Sequence, residues 1–345
     1  MKQLSATRLA AVTSLTLALL LAACAPGAPS APTAAPLPTG AKPTSLTIGL
    51  GYLPSVQFAQ FYRAQQQGYY RAAGLEVTFQ NRIDPDLITL VGQGAIDMGM
   101  GDGTSIIAAV SQDIPVRYAA SIYSRFPSVV YAAAGSGITE PADLEGRSLG
   151  IPGRFGSSWI MLQALLAAAD LTPEDLEITL YPDFGQMVGL RERQVDSATG
   201  FANNEPVQLE RAGFPVNVLR VDEITPLPGP GLIVGQRALE DKAAALRAFV
   251  AATLRAMEEI AADPPAGLED AIAVVPELAD DREGQLAVLE ATIEMWQSPY
   301  TLEYGLGAID SDAWTESIEF MRTLPDLEVP GSLTAQQLLT EELLP

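Results

Sequence analysis

The chain has 345 residues, with 20 Lys+Arg against 42 Asp+Glu, one cysteine, no histidine and a formal net charge of −22 at pH 7. A field of that sign repels nucleic acid and anionic surfaces, so polyanionic partners are not expected. Without histidine there is no Ser-His-Asp triad, imidazole base or imidazole metal ligand, and one cysteine forms neither an internal disulfide nor a thiolate cluster.

Residues 1–23 carry Lys2 and Arg8 ahead of an apolar run, Leu15 to Ala23, too short to span a bilayer as a helix, which describes a secretory signal. The run ends Leu21-Ala22-Ala23-Cys24, which resembles the bacterial lipoprotein box. Cys24 is therefore expected to become the acylated first residue, attached to the membrane by lipid alone. Residues 24–44 are rich in Ala, Pro, Gly, Ser and Thr and cannot bury a core, so they are expected to act as a tether.

From Ser45 the pattern alternates. Strands are expected at 46–50, 76–80, 96–100, 116–122 and 128–134, with helices at 57–72, 85–93 and 104–111. On the first helix Phe58, Phe61, Tyr62 and Tyr69 share one face, and Gly74 suits the left-handed stop at its end. A second alternation follows: strands at 148–151, 177–181, 197–200 and 216–221, helices at 157–169, 184–193 and 204–212. After the Pro/Gly-rich run at 222–230 come one apolar strand, Leu232 to Val234, and then helices only. Such alternation specifies α/β layers with largely parallel sheets, and some 300 residues exceed what one core usually organises. The late strand finds partners if the chain returns to the first lobe. The expected division is lobe 1 at 45–136 plus 228–345 and lobe 2 at 137–227, joined by two crossings with a cleft between.

Five loops fall at the carboxyl ends of strands, where open α/β sheets bind ligands. The first, residues 52–58, offers Tyr52, Gln57 and Phe58; the second offers Asp102 and Thr104; the third Tyr123 and Arg125. The fourth, 152–158, offers Phe155 and Ser157 at a helix start, and the fifth offers Asn203 and Asn204. Asp102, Thr104 and Ser157 also read as helix caps, Phe58 as core, and Arg125 and Arg154 as surface charges. The fourth loop favours an anion by its helix amino terminus but lacks the P-loop lysine. Together the groups suit a flat, hydrogen-bonding heterocycle. No metal site is expected, since it would need carboxylates alone and no calcium-loop spacing is present.

Three ordered motifs carry a resemblance. Gly51, Tyr52, Pro54, Ser55, Tyr62, Ala64, Gly68, Tyr69, Tyr70, Gly74, Leu75 and Val77 form the first; 90–101 and 144–151 form the others. They resemble the ABC-transporter solute-binding lipoproteins of the thiamine-pyrimidine-synthase-like superfamily. The resemblance implies a type 2 periplasmic-binding-protein fold, an ABC permease and ATPase as partners, a monomer on the extracytoplasmic face of the membrane, and no cofactor. Family members that make or bind the thiamine pyrimidine carry a histidine where this chain has Phe58, and the synthases use it as a substrate. Tyr52 to Ala59, a Gly-x-Gly loop and Arg125-Phe126-Pro127 are similar to the branch that binds riboflavin. That branch implies an isoalloxazine stacked on Tyr52, Phe58 or Phe155, with Gln57, Asn203 and Asn204 at its polar edge and Asp102, Thr104 or Ser157 on the ribityl chain. The alternative left open is a binder of a formylated thiamine pyrimidine, another small heterocycle or a sulfonate.

Overall fold

The computed structural model describes residues 42–345 except 84, 85 and 326, so the signal sequence, Cys24 and the tether up to residue 41 lie outside the described residues. β1 (Thr44–Leu50) alternates Leu46, Ile48 and Leu50 into the core and pairs in parallel with β2 (Leu75–Asn81) and β3 (Met98–Gly101). Between β1 and β2 a short 3-10 turn, Val56–Phe58, leads into α1 (Ala59–Gln66) and α2 (Tyr69–Ala72).

The single helix expected over 57–72 is divided because Gly68 takes φ 73°. Nothing would crowd a Cβ there, so the backbone angle alone requires glycine. The break turns the following face. Tyr70 enters the core and stacks on Phe249 at 4.9 Å, and full burial of a phenyl ring such as Phe249 contributes about 1.5–3 kcal/mol. Tyr69 instead remains half-buried, donates to Glu259 Oε2 at 2.6 Å and lies under the Arg255 guanidinium.

The chain continues through α3 (Asp86–Gly92), α4 (Gly103–Ser111) and β4 (Val116–Ser121). It then enters a second sheet with β5 (Ser128–Ala133), β6 (Ser148–Ile151), α5 (Gly156–Ala167), β7 (Glu177–Leu180), α6 (Gln186–Arg191), β8 (Ser197–Phe201), α7 (Glu205–Arg211) and β9 (Val216–Arg220). β10 (Gly231–Gly235) returns to the first sheet, and α8 (Gln236–Ala262), α9 (Pro264–Val274), α10 (Arg282–Trp296), α11 (Pro299–Tyr304), α12 (Ser311–Met321) and α13 (Ala335–Leu338) follow.

Each sheet has five strands, ordered β2-β1-β3-β10-β4 and β7-β6-β8-β5-β9. Both are mixed. The parallel arrangement expected from alternation holds for β1–β3 and β6–β8, whereas β10 is antiparallel to β3 and β4, and β5 to β8 and β9. The reason is the direction of entry. Strands reach the cleft with their carboxyl ends, so a chain that has just crossed the cleft starts its next strand there and runs away from it. β5, expected in the first lobe, belongs to the second sheet, so the first crossing lies at 122–127 rather than at the expected boundary between 136 and 137. The crossings are tied to each other and to α10: Arg125 reaches Asp222 at 3.5 Å, and Ser124 N donates to Met295 O at 2.9 Å.

β10 fits only without a side chain at its first position. A Cβ on Gly231 would stand 2.2 Å from the Tyr118 hydroxyl and 2.4 Å from Ala120 O, a backbone atom that cannot swing away. Gly231→Ala is expected to destabilise the protein by about 1–3 kcal/mol, read as a lower midpoint in thermal or urea denaturation.

Candidate functional site

The carboxyl ends of the two sheets face one another across a cleft enclosing about 890 Å³ of space, its open mouth included. Eight of the residues expected from sequence line it: Tyr52, Gln57, Phe58, Asp102, Tyr123, Phe155, Ser157 and Asn204.

Three do not. Thr104 is fully buried in the first turn of α4, because Gly103 rather than Asp102-Gly103 opens that helix and the hydroxyl turns into the core. Arg125 points to the other side of the crossing, into a second cavity, held by Asp222. Asn203 lies beneath the wall, fully buried, where its Nδ2 faces Thr292 Oγ1 at 2.8 Å, Gln57 Oε1 at 3.0 Å and the Tyr123 hydroxyl at 3.3 Å. These acceptors come from α10, the 3-10 turn and the first crossing, so one amide of the second lobe fastens three elements outside it. It also orients Gln57, whose Nε2 is left to donate to Ser55 Oγ at 3.2 Å.

The lobes meet at two further points. Asp102 accepts no cap bond from its own helix; its Oδ2 accepts from Ser157 N at 3.2 Å, at the start of α5 on the opposite lobe. The Ser157 hydroxyl accepts from Ser128 Oγ at 2.9 Å, so Ser157 serves as neighbour to a carboxylate rather than as a free group. Tyr52 meets Phe184 edge to face, with centroids 5.1 Å apart. Phe184 sits between β7 and α6 with φ 62°, a left-handed angle uncommon for a residue with a side chain.

The aromatic groups differ in freedom. Phe58 is 4% exposed and packs toward Phe61, offering the cleft an edge, while Phe155 is 40% exposed with its ring folded over Gly153. Sequence reasoning missed Ile83, Phe184 and Gln186, and Glu205, which ends the fifth loop with a carboxylate at a helix start, was not among the residues chosen; all four line the cleft. The first three follow carboxyl ends of β2 and β7, so extending the loop rule to every strand would have found them. Glu205 opens α7, and its buried carboxylate accepts from Phe201 N at 2.9 Å. Burial pushes the carboxyls of both Glu205 and Asp102 above the ordinary range, against the hydrogen bonds that favour their charged forms. Among the described residues no cluster of three or more carboxylates could hold a metal ion.

Residues 55–266 match the family model described as NMT1/THI5 like. The chain belongs to this family. Among its NMT1/THI5-like relatives, the riboflavin-binding protein RibY of Chloroflexus aurantiacus is 34% identical over 337 residues, 95% of either chain. The 4-amino-5-hydroxymethyl-2-methylpyrimidine phosphate synthase THI11 of Saccharomyces cerevisiae is 28% identical over 253 residues, 68% of this chain and 73% of its own. The family thus includes binding proteins and synthases. In structure the chain is similar to the alkanesulfonate-binding protein SsuA of Xanthomonas axonopodis pv. citri, with a TM-score of 0.67 at 16% identity over 87% of this chain and 99% of that one. The NMT1/THI5-like chain therefore has the two-lobed type 2 periplasmic-binding-protein fold.

Two outcomes follow from the geometry. Asn203→Ala leaves Gln57 Oε1 and two hydroxyls without their shared donor and is expected to cost about 1–3 kcal/mol, measured by denaturant titration. For Glu205 the raised pKa means that folding opposes ionisation. Its stabilising share is complete below the unfolded value, about 4.3, and is lost as pH rises through the folded value. The stability of Glu205→Gln relative to the unmodified chain is therefore expected to increase as pH rises from about 4 towards 7, measured by thermal denaturation across that window.

Proposed function

We propose that the chain is the extracytoplasmic binding component of an ABC importer and that its cleft captures riboflavin. The observation that carries this reading is the likeness to a riboflavin-binding protein along 95% of both chains. The cleft is consistent with it: aromatic rings, amides and carboxyls from both lobes face one space. Phe155, the most exposed ring, is the stacking surface for the isoalloxazine, with Tyr52 beside it and the edge of Phe58 behind. Gln57 and Asn204 meet the polar edge of the ring system. Asn203 acts from beneath by holding Gln57, and Thr104 and Arg125 take no part.

The chain acts by binding, not by turnover. The synthases resembled by its motifs spend a histidine, and this sequence has none. The two lobes close on ligand about the crossings at 122–127 and 221–230, and the closed form docks on a membrane permease driven by an ATPase. Acylated Cys24 and the tether hold the monomer at the outer surface of the membrane.

Fluorescence titration of riboflavin with the purified chain tests the reading. Saturable quenching at about one ligand per chain is expected. No quenching, together with a thermal shift from a formylated aminopyrimidine, would overturn it in favour of a thiamine-precursor binder. Phe155→Ala is expected to weaken riboflavin about tenfold, since stacking on an aromatic side chain contributes roughly 1–3 kcal/mol; unchanged affinity removes Phe155 from the site.

A further inference from the structure

One element of the cleft favours an anion: the amino terminus of α5, a helix of 12 residues whose opening residues Gly156, Ser157 and Ser158 line the wall. The opposite lobe already fills that place. Asp102 Oδ2 accepts the Ser157 N–H at 3.2 Å, so a carboxyl group of the protein occupies the place a phosphate or sulfonate would take. A second carboxyl, Glu205, is held on the second-lobe wall by Phe201 N and lies so close over Gly200 that a Cβ there would stand 2.6 Å from its Oε2. Gln186 adds an acceptor: its Nε2 donates to Thr199 O at 3.0 Å, and its buried Oε1 has no partner among the described residues.

Cations near the cleft are engaged elsewhere. Arg154 lies over the Trp159 ring at 5.1 Å, Arg125 pairs with Asp222, and Arg82 donates to Asn81 O and Gln80 Oε1. Among the described residues no lysine or arginine lines the cleft.

We infer that the cleft selects by charge: a wall that carries the carboxyls of Asp102 and Glu205 and no cation makes it specific for an uncharged heterocycle bearing N–H and O–H donors and disfavours the same heterocycle when phosphorylated. The inference rests on the flavin reading and specifies which flavin is taken. The acceptors of this wall suit the imide N–H and the ribityl hydroxyls of riboflavin. A phosphate monoester carries a charge of about −1.5 to −2 at pH 7, brings mainly acceptor oxygens, and meets carboxyls where a binding site for it would place cations.

The test is a parallel titration of the purified full-length chain with riboflavin, riboflavin 5′-phosphate and riboflavin 5′-acetate, which is neutral at the same position. The phosphate is expected to bind at least about tenfold more weakly than riboflavin, and the acetate within about threefold of it, given the strength of like-charge repulsion in a partly buried site. Asp102→Asn and Glu205→Gln, each checked for folding by thermal denaturation, are expected to narrow the gap between riboflavin and its phosphate several-fold. Equal affinity for riboflavin and its phosphate overturns the inference and leaves the flavin reading standing. A phosphate and an acetate that are rejected alike, or a gap unchanged in both folded variants, assigns the discrimination to size and overturns it too. Binding of none of the three overturns the flavin reading and this inference with it.

Discussion

β10 can complete its hydrogen bonds only between β3 and β4, and the architecture depends on that requirement. Its five residues are all buried, so their N–H and C=O groups must be paired within the protein. Filling the gap forces the chain, which has just built the second sheet, back across the cleft. Two crossings rather than one then join the lobes, and both run beside the site: Tyr123 on the first and Pro230 on the second line the cleft. As a consequence α8 and α13 pack on the first sheet, α9 packs on α1 and α8, and α10 fastens the first crossing through Met295 O.

With the sheets facing each other, the ends of strands and the starts of helices from both lobes share one space. Groups that would cap their own helix can then serve the other lobe. Asp102 satisfies an amino-terminal N–H of α5 instead of α4, and Asn203 binds α10, the 3-10 turn and the first crossing at once. These contacts place charge and polar atoms in a partly desolvated interior. That raises the carboxyl pKa values of Asp102 and Glu205. The same geometry links recognition to the relative placement of the lobes, because each contact is made by residues on both sides.

The loops were legible because strand ends can be read from hydrophobic runs bounded by Gly, Pro and Asp. Tyr52, Gln57, Phe58, Asp102, Tyr123, Phe155, Ser157 and Asn204 follow from that rule and reach the cleft. Direction within a loop was not legible. Thr104, Arg125 and Asn203 stand one or two residues from lining positions and turn away, since one residue of helix or turn rotates a side chain by about 100°. Phe184 was hidden for another reason: a left-handed φ at a phenylalanine has no composition signal, and the turn bond from Phe184 N to Tyr181 O and the contact with Tyr52 of the other lobe are both tertiary or local geometry that residue type does not announce.

What the sequence determined by itself is local: alternating strands and helices, a glycine at the left-handed stop before β2, no histidine or internal disulfide chemistry, and an acidic balance that disfavours polyanions. These depend on residue type and spacing over a few turns, and they survive without knowledge of neighbours. Only the tertiary structure decided that β5 belongs to the second sheet, that Tyr70 rather than Tyr69 enters the core, and that Asp102 caps a helix 55 residues away. Each of these is a choice among partners that are equally acceptable locally. It is settled by which pairing leaves fewest buried polar groups and cavities once both lobes are in place.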